Sequence, residues 1–238
     1  MGRILESHKL KPWRHHLWLS PKVPRDAAFA AAVQKIVTLY TRPLGTWEMV
    51  MCGDEKTSLQ PRPRPSPTLA AKPGVPVRVE HEYQRQGALN LFAAFDTRTG
   101  KVYATTAHGK RQVEFIELVE LLDREIAPHI TQIHLVLDNL RMHKGKQVQA
   151  WLANHPRFVF HFPPVQCSWM NQVEQWFSIL QRKRLRCADF TDTQHLAQCL
   201  MAFVAQWNEP AHPFRWSTKS VAKVMAKCEP AICSAKAA

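Results

Sequence analysis

The sequence lacks any long hydrophobic run. No segment of its 238 residues approaches the roughly 20 consecutive apolar residues that a helix needs to cross a bilayer. The N-terminus, which begins Met-Gly-Arg-Ile-Leu-Glu-Ser-His-Lys, has no uninterrupted apolar segment of the kind found in signal peptides. We therefore expect a soluble, cytoplasmic protein that does not contact membranes.

Paired cysteines are also missing. The six cysteines are scattered along the chain and form no Cys-x-x-Cys motif: Cys52, Cys167, Cys187, Cys199, Cys228 and Cys233. Without such spacing, the sequence predicts neither a disulfide framework nor a zinc site. We expect reduced thiols in the core or at the surface.

Acidic residues are scarce relative to basic ones. Nineteen Asp and Glu stand against 32 Lys and Arg, which gives a formal charge of +13 and a pI near 9.8. This excess attracts polyanions, and nucleic acid is the most common polyanion inside cells. Ribosomal and RNA-binding proteins share the property, so charge alone narrows the class without naming a function.

The chain contains a short apolar run that stops at a carboxylate. Residues 133–139, Ile-His-Leu-Val-Leu-Asp-Asn, predict a strand buried on both faces in the middle of a sheet, with Asp138 at its end. Ligands in open α/β sheets bind outside the carboxyl ends of strands, which makes Asp138 a candidate site residue. The alternative is that Asp138 only caps a turn.

Two further carboxylates are candidates, one at a strand end and one on a helix face. The β-prone segment 46–52 is predicted to end at Gly53, followed by Asp54 and Glu55. Neighbouring strand side chains point to opposite faces, so only one of these acids can face a given site, and we choose Asp54. The third is Glu174, four residues after Met170, in a helix predicted to begin near Ser168.

The predicted helix from Ser168 has an apolar stripe that includes Met170, Val173, Phe177 and Leu180. Glu174 is expected to lie on that stripe. A glutamate on an apolar face is costly unless a cation, hydrogen bonds or a metal ion compensates for it. The pattern therefore predicts an inward-facing carboxylate.

The remaining elements predict a mixed α/β fold. A helix capped by Asp26 precedes the first strand, and a hairpin joins strands at 88–95 and 101–106. An amphipathic helix follows, and further helices are predicted at 144–155, after a capping box at Thr191-x-x-Gln194, and near 220–227. A strand is predicted at 157–162. This order favours a mixed sheet with helices on both faces.

Two stretches are strongly basic. Residues 61–76 hold six prolines interleaved with Arg62 and Arg64, which predicts an extended loop. It is either a plain linker or a contact to a nucleic-acid backbone. A second cluster comprises Arg182, Lys183, Arg184 and Arg186. Such a run is usually a solvated surface, but its place after a candidate metal site also suits phosphate binding.

Carboxylates that converge from different elements suit Mg²⁺ or Mn²⁺. Two such ions, about 3.5–4 Å apart, can activate a water or a 3′-hydroxyl and stabilise the leaving oxygen of a phosphoryl transfer. A basic protein around an acidic metal centre therefore suggests phosphodiester chemistry on nucleic acid.

Several motifs together resemble one known family. They are Cys-Gly-Asp-Glu-Lys-Thr-Ser-Leu-Gln at 52–60, Pro73-Gly74 with Glu82-Tyr83-x-Arg85-x-Gly87, Leu-Phe-Ala-Ala at 91–94, Asp138-Asn139-x-x-x-His143-Lys144, His155-Pro156-Arg157 and the block at 167–177 around Glu174. They resemble the catalytic domain of IS630-family transposases, within the IS630–Tc1–mariner group of DDE recombinases. The matches run from about residue 20 to 218, and Glu174 lies 36 positions after Asp138, a spacing similar to that of the group.

The resemblance implies an RNase H-like fold in which Asp54, Asp138 and Glu174 are the catalytic and metal-binding triad, with two Mg²⁺ or Mn²⁺ ions. Asn139 and His143 are implied as supporting residues. Arg62, Arg64, Lys144 and the cluster at 182–186 are expected to contact DNA. The implied activity is cleavage of element ends and strand transfer, usually into a TA target, by a homodimer in a bacterial, nucleoid-associated setting.

We expect a basic connector and helix at 1–45, the catalytic domain at 46–188 and a helical extension at 189–238, with residues 229–238 frayed. Members of the family usually carry an N-terminal helix-turn-helix region, and Met1 falls in what resembles the connector after it. A split gene, a truncated relic or a wrongly chosen start would each account for this. Strand-transfer chemistry would survive such a loss, whereas specific recognition of element ends would not.

Two other functions remain open from the sequence. One is a non-catalytic DNA-binding remnant that competes with an intact transposase or joins its dimer. The other is a stand-alone RNase H-type nuclease. The latter is weakened by the proline-rich loop and the block around Glu174, which simple hydrolysis does not need.

Overall fold

A computed structural model describes residues 7–8, 25–165, 167–186 and 188–215. Most of residues 1–25 in the expected connector, the helix expected near 220–227 and the terminal residues 229–238 lie outside these ranges. None of the helices in the described part of the chain is long and apolar enough to cross a membrane.

The core is a five-stranded mixed sheet. The strands are β1 (Glu48–Leu59), β2 (Leu89–Asp96), β3 (Val102–Ala107), β4 (Gln132–Val136) and β5 (Phe158–His161). Their spatial order is β3-β2-β1-β4-β5, with β1 antiparallel to β2 and parallel to β4. The strand before Asp138 is fully buried over most of its length, as expected, but the middle of the sheet is β1 and not β4.

Helices cover both faces of the sheet. They are α1 (Ala27–Thr41), α2 (Gln112–Glu125), α3 (Lys146–Asn154), α4 (Val173–Leu180) and α5 (Thr193–Asn208). Short 3₁₀ turns occur at Arg141–Lys144 and Ser168–Met170, and a π-helical turn at Gln181–Leu185 continues α4. This architecture confirms the predicted RNase H-like α/β fold.

Strand alternation divides the core into two layers. Val50 and Cys52 of β1 pack with α1, α4 and α5 on one face, whereas Met51 packs with α2 and α3 on the other. Odd- and even-numbered residues of β2 are separated in the same way, as the period of two in a strand requires. Each layer removes a large apolar area from water, and this burial stabilises the fold by about 25 cal/mol for each Å² of apolar surface.

Local capping determines where several helices begin. Asp26 caps α1, as predicted, by accepting a hydrogen bond of 2.9 Å from the Phe29 amide. The expected capping box at Thr191 is wrong by one residue, because Asp192 accepts from the His195 amide and α5 begins at Thr193. Glu114, in the first turn of α2, is buried, and its carboxylate accepts a hydrogen bond of 2.8 Å from the Arg111 amide.

The proline-rich loop joins β1 to β2 without forming a strand. In the described chain between 60 and 88, only two isolated bridges occur, Leu69 with Arg78 and Lys72 with Val75. This agrees with the prediction of an extended loop, because proline lacks the amide hydrogen that a sheet ladder needs.

Candidate active site

The register of β1 and β4 brings Asp54 and Asp138 together. The parallel ladder pairs Cys52 with Val136, and each aspartate follows two residues later. Both line one cavity of about 320 Å³ with Asn139, Pro163 and Asn171 among its other residues. The two strands therefore place these carboxylates side by side, as the motif positions predicted.

β1 does not end at the first carboxylate, which corrects the expected boundary at Gly53. The strand continues to Leu59 because β2 still pairs with it, from Asp54 opposite Ala93 to Leu59 opposite Leu89. Only the ladder to β4 stops near Asp54. The carboxylate thus projects from a continuous strand at the point where one neighbouring strand leaves, and this makes its backbone position rigid.

Asp54 occupies a buried and electrostatically unfavourable position. Burial raises its pKa to about 7, and the negative charges of Glu55, Glu174 and Asp138 add to this effect, against a hydrogen bond of 2.7 Å from the Glu55 amide. The side chain of Asn171 donates to Asp54 Oδ2 at 3.3 Å and to the Gly53 carbonyl at 2.9 Å. The buried Oδ1 of Asn171 has no hydrogen-bond partner.

The surroundings of Asp138, unlike those of Asp54, favour the charged form of its carboxylate. Its carboxylate accepts hydrogen bonds from the Leu140 amide at 3.1 Å and from His143 Nδ1 at 3.0 Å. Partial burial acts to raise the pKa of Asp138, but these hydrogen bonds outweigh it and the pKa is lowered. Asp138 is thus stabilised as an anion without a metal ion.

His143 is fully buried between two carboxylates. Its Nε2 lies 2.8 Å from Glu55 Oε1, and its Nδ1 faces Asp138. Burial acts to lower the pKa of His143, but the hydrogen bonds to Asp138 and Glu55 raise it to about 9. The imidazole therefore holds the Asp138 carboxylate in place through its Nδ1 atom.

The position of Glu174 differs from the expected one. The stretch 168–170 is a 3₁₀ turn, and α4 begins only at Val173, so Met170 and Glu174 do not belong to one continuous helix. The buried stripe of α4 is Val173, Trp176, Phe177 and Leu180, and Glu174 is exposed on the first turn. The expectation that Glu174 lies on the apolar stripe is wrong because the break at 171–172 resets the helical phase.

Glu174 nevertheless lies close enough to Asp54 for its charge to raise the pKa of that residue. In the described residues, however, no group of three or more His, Cys, Asp or Glu side chains is arranged to hold a metal ion. The structure thus groups the two aspartates and leaves Glu174 at the edge of the same region.

Asn139 and Lys144 support each other beside the carboxylates. Lys144 Nζ donates to Asn139 Oδ1 at 2.7 Å and lies 4.3 Å from the ring centre of Phe162. The Asn139 amide donates to the Pro163 carbonyl, which joins the loop after β4 to the loop after β5. Lys144 remains exposed and available to an anion.

The predicted DNA-contacting arginines divide into anchored and exposed groups. Arg64 donates to the carbonyls of Glu80 at 2.8 Å and Ala188 at 3.1 Å, so it fastens the proline-rich loop to the chain after α4. Arg62 is exposed and lies over the Tyr83 ring at 4.9 Å. Both line a cavity of about 260 Å³ together with Lys56 and Arg186.

The rest of the basic cluster lies on the π-helical turn after α4. Arg182, Lys183 and Arg184 are all exposed, and Arg184 also packs over Phe203 at 5.3 Å and donates a hydrogen bond to Gln206 of α5. The exposed cations of this turn therefore lie immediately after the helix that carries Glu174.

Two residues near the aspartates were not singled out from the sequence. Asn171 belongs to the quoted block around Glu174, but no periodicity marks it as a partner of Asp54. Glu55 points to the opposite face of β1 from Asp54, as strand alternation predicts, and it meets His143 there. The signal that would have found Glu55 is His143, a buried imidazole that needs a partner on that face.

Comparison with known proteins agrees with this geometry. The sequence model described as DDE superfamily endonuclease matches residues 49–197, which include all three predicted acids. The chain belongs to this family. It is also 29% identical over 134 residues to the insertion element IS630 uncharacterized 39 kDa protein of Shigella sonnei, an alignment that covers 56% of this chain and 38% of that protein. The chain thus matches less than two fifths of the length of this curated relative.

Solved structures share the fold of this DDE-family chain. The Mos1 mariner paired end complex with Mn superposes with a TM-score of 0.57 at 15% identity, covering 86% of this chain and 62% of that one. The catalytic domain of Mos1 mariner transposase gives 0.53 at 14% identity, covering 81% and 88%. These likenesses show that the sheet and its flanking helices share the fold of the Mos1 structures.

Proposed function

We propose that this chain is the catalytic part of an insertion-sequence transposase, which cleaves DNA at element ends and transfers the strand into a TA target. The observation that carries the proposal is the adjacency of Asp54 and Asp138 across the β1–β4 register in a member of an endonuclease family. Two copies, one for each element end, belong to the proposal, as does a location at the bacterial nucleoid.

The residues present fit a divalent cation. Asp54 is buried, and the negative charges of Glu55, Glu174 and Asp138 raise its pKa further. Such a group is unfavourable by itself, and carboxylate oxygens are the ligands that Mg²⁺ and Mn²⁺ prefer. Asp54, Asp138 and Glu174 would hold the ions. Because Glu174 is exposed, its side chain can rotate towards the aspartates without disturbing the core.

When bound, Mg²⁺ or Mn²⁺ would activate the attacking oxygen and stabilise the leaving oxygen of a phosphodiester. The chain's own residues would orient the carboxylates and the substrate. Asn171 holds Asp54, the Leu140 amide holds Asp138, and Asn139 holds Lys144 beside them. Exposed cations at Arg62, Lys144, Arg182 and Lys183 would bind the DNA backbone by charge.

The first experiment incubates the purified chain with supercoiled plasmid in Mg²⁺ or Mn²⁺ and scores nicks and double-strand breaks. We expect cleavage by the native chain and its loss in Glu174→Gln and Asp138→Asn. Glu120→Gln, which changes an exposed glutamate of α2, serves as the matched control and should cleave normally.

Other outcomes assign other functions. DNA binding without cleavage by the native chain, also in the presence of paired element ends and an intact relative, would contradict the proposal and indicate a non-catalytic remnant. Preferential cleavage of the RNA strand in an RNA–DNA hybrid would indicate an RNase H-type nuclease.

A further inference from the structure

The buried side chain of Glu55 has no role in the proposed chemistry. It belongs to β1 next to Asp54 but points to the opposite face of the sheet, and its side chain is 1% exposed. One oxygen, Oε2, has no hydrogen bond and lies 3.6 Å from Lys110 Nζ. A charged group that is withdrawn from water at this cost needs a compensating interaction.

That interaction is with His143. Glu55 Oε1 lies 2.8 Å from His143 Nε2, and the imidazole is fully buried, with its ring centre 4.5 Å from that of Phe115. Packing against Phe115 and the contact with Glu55 together restrict how the ring can turn. The imidazole can therefore serve as a fixed donor to a second group.

The second group is Asp138. His143 Nδ1 lies 3.0 Å from Asp138 Oδ1 and 3.2 Å from the Asp138 carbonyl oxygen. Asp138 follows the end of β4, so strand pairing does not hold its backbone. Its side chain is 35% exposed. Apart from His143, its described hydrogen bond comes from the Leu140 amide. The orientation of this carboxylate thus depends strongly on the imidazole.

We propose that Glu55 and His143 are positioning residues: Glu55 fixes the His143 imidazole, which in turn orients the Asp138 carboxylate to receive a divalent cation. The inference rests on the proposed function, because it assigns Asp138 to the metal. In this arrangement β1 contributes to the site twice. Asp54 reaches the cavity directly from one face of the strand, and Glu55 supports Asp138 from the other.

The test measures Mn²⁺ affinity, by electron paramagnetic resonance of the free ion, and thermal unfolding in EDTA. Glu55→Leu removes the acceptor while roughly keeping the volume, and Glu55→Gln keeps an amide oxygen that can accept from Nε2. We expect Mn²⁺ to bind about 10–100-fold more weakly to Glu55→Leu, as for other residues that orient metal ligands. Glu55→Gln should fall between Glu55→Leu and the native chain.

A double-mutant cycle distinguishes positioning from a general loss of stability. If Glu55 acts through His143, Glu55→Leu should weaken Mn²⁺ binding in the native background but add little to His143→Leu. The matched control is Glu48→Gln, which removes a different buried carboxylate of β1, paired with Arg42 at 2.6 Å. This control should lower the unfolding temperature and leave Mn²⁺ affinity unchanged.

The outcomes separate this inference from the proposed function. Native-like Mn²⁺ affinity in Glu55→Leu, additive losses with His143→Leu, or an equal loss in Glu48→Gln would overturn the positioning role while cleavage by the native chain still stands. Failure of the native chain both to bind Mn²⁺ and to cleave DNA would overturn the proposed function and this inference together.

Discussion

Asp54 and Asp138 lie side by side in opposite electrostatic environments. Burial is the main cause of the raised pKa of Asp54, about 7, whereas the hydrogen bonds from His143 and Leu140 lower the pKa of Asp138. One carboxylate therefore resists ionisation in the metal-free protein, and the other is already held as an anion. The difference predicts opposite effects of neutralising the two residues on stability.

Asp54→Asn should stabilise the metal-free chain at pH 8. The folded-state pKa of Asp54 lies above its unfolded value, so its ionisation costs stability as the pH rises from about 4 to about 7. One pKa unit corresponds to about 1.4 kcal/mol, so we expect a gain on the order of 1–3 kcal/mol in the free energy of unfolding. Urea unfolding in EDTA measures it, and a loss of stability at pH 8 would contradict the assigned environment.

Asp138→Asn should have the opposite sign under the same conditions. Its folded-state pKa is lowered, so the stability it contributes is present above the unfolded pKa near 4 and is lost as the pH falls through the folded value. The variant should therefore fold but unfold at lower urea concentration than the native chain at pH 8. Equal stability of Asp138→Asn and the native chain would argue against the His143 contact.

At the scale of elements, β1 and β4 approach each other closely where the site begins. A Cβ atom added at Gly53 would lie 2.9 Å from Leu137 Cδ2 and 3.4 Å from Leu135 Cδ1, and both leucines are fully buried. The absence of a side chain at Gly53 thus permits the spacing that brings Asp54 beside Asp138. A strand with alanine there has to displace the end of β4.

Gly53→Ala should destabilise the chain by about 1–3 kcal/mol, the usual cost of overpacking a core. Part of that cost should disappear in a Leu137→Val background, since the shorter side chain gives way to the new methyl group. Thermal unfolding of the two single variants and the double variant tests this. Additive losses would show that the contact with Leu137 is not the cause.

Over the whole molecule, some basic side chains are bound to other parts of the protein and others are exposed to solvent. Arg64 is engaged by two backbone carbonyls, whereas Arg182 and Lys183 are exposed on the turn after α4. Only exposed cations can release counterions from DNA when they contact phosphates. The two kinds of basic residue should therefore differ in their effect on DNA affinity and on stability.

Arg182→Gln and Lys183→Gln should each make the dependence of log K on log salt concentration shallower by about 0.9, without lowering stability. Arg64→Gln should instead lower the unfolding temperature, because two carbonyls lose their donor. Fluorescence anisotropy with a labelled duplex gives the slopes. The matched control is Arg124→Gln on α2, which packs against the other face of the sheet, and its slope should not change.

Sequence-based prediction agreed with the structure where short local motifs determine which elements form and which side chains lie near one another. The Asp-Asn pair after β4, the Gly-Asp-Glu segment and the buried strands are local patterns, and the family match covers all three predicted acids. Prediction failed for the phase of Glu174 and for the end of β1. A 3₁₀ turn before α4 and continued pairing with β2 depend on contacts between distant parts of the chain.

The sequence by itself determined the mixed α/β class, the buried strands and the types of side chain available for the proposed phosphodiester chemistry, because these follow from hydrophobic period and residue chemistry. Tertiary structure alone decided that Glu174 is exposed, that Arg64 is anchored and that Glu55 meets His143, which lies 88 positions away. The physical reason is that strand register and packing between layers set which distant side chains meet, and no local pattern encodes those distances.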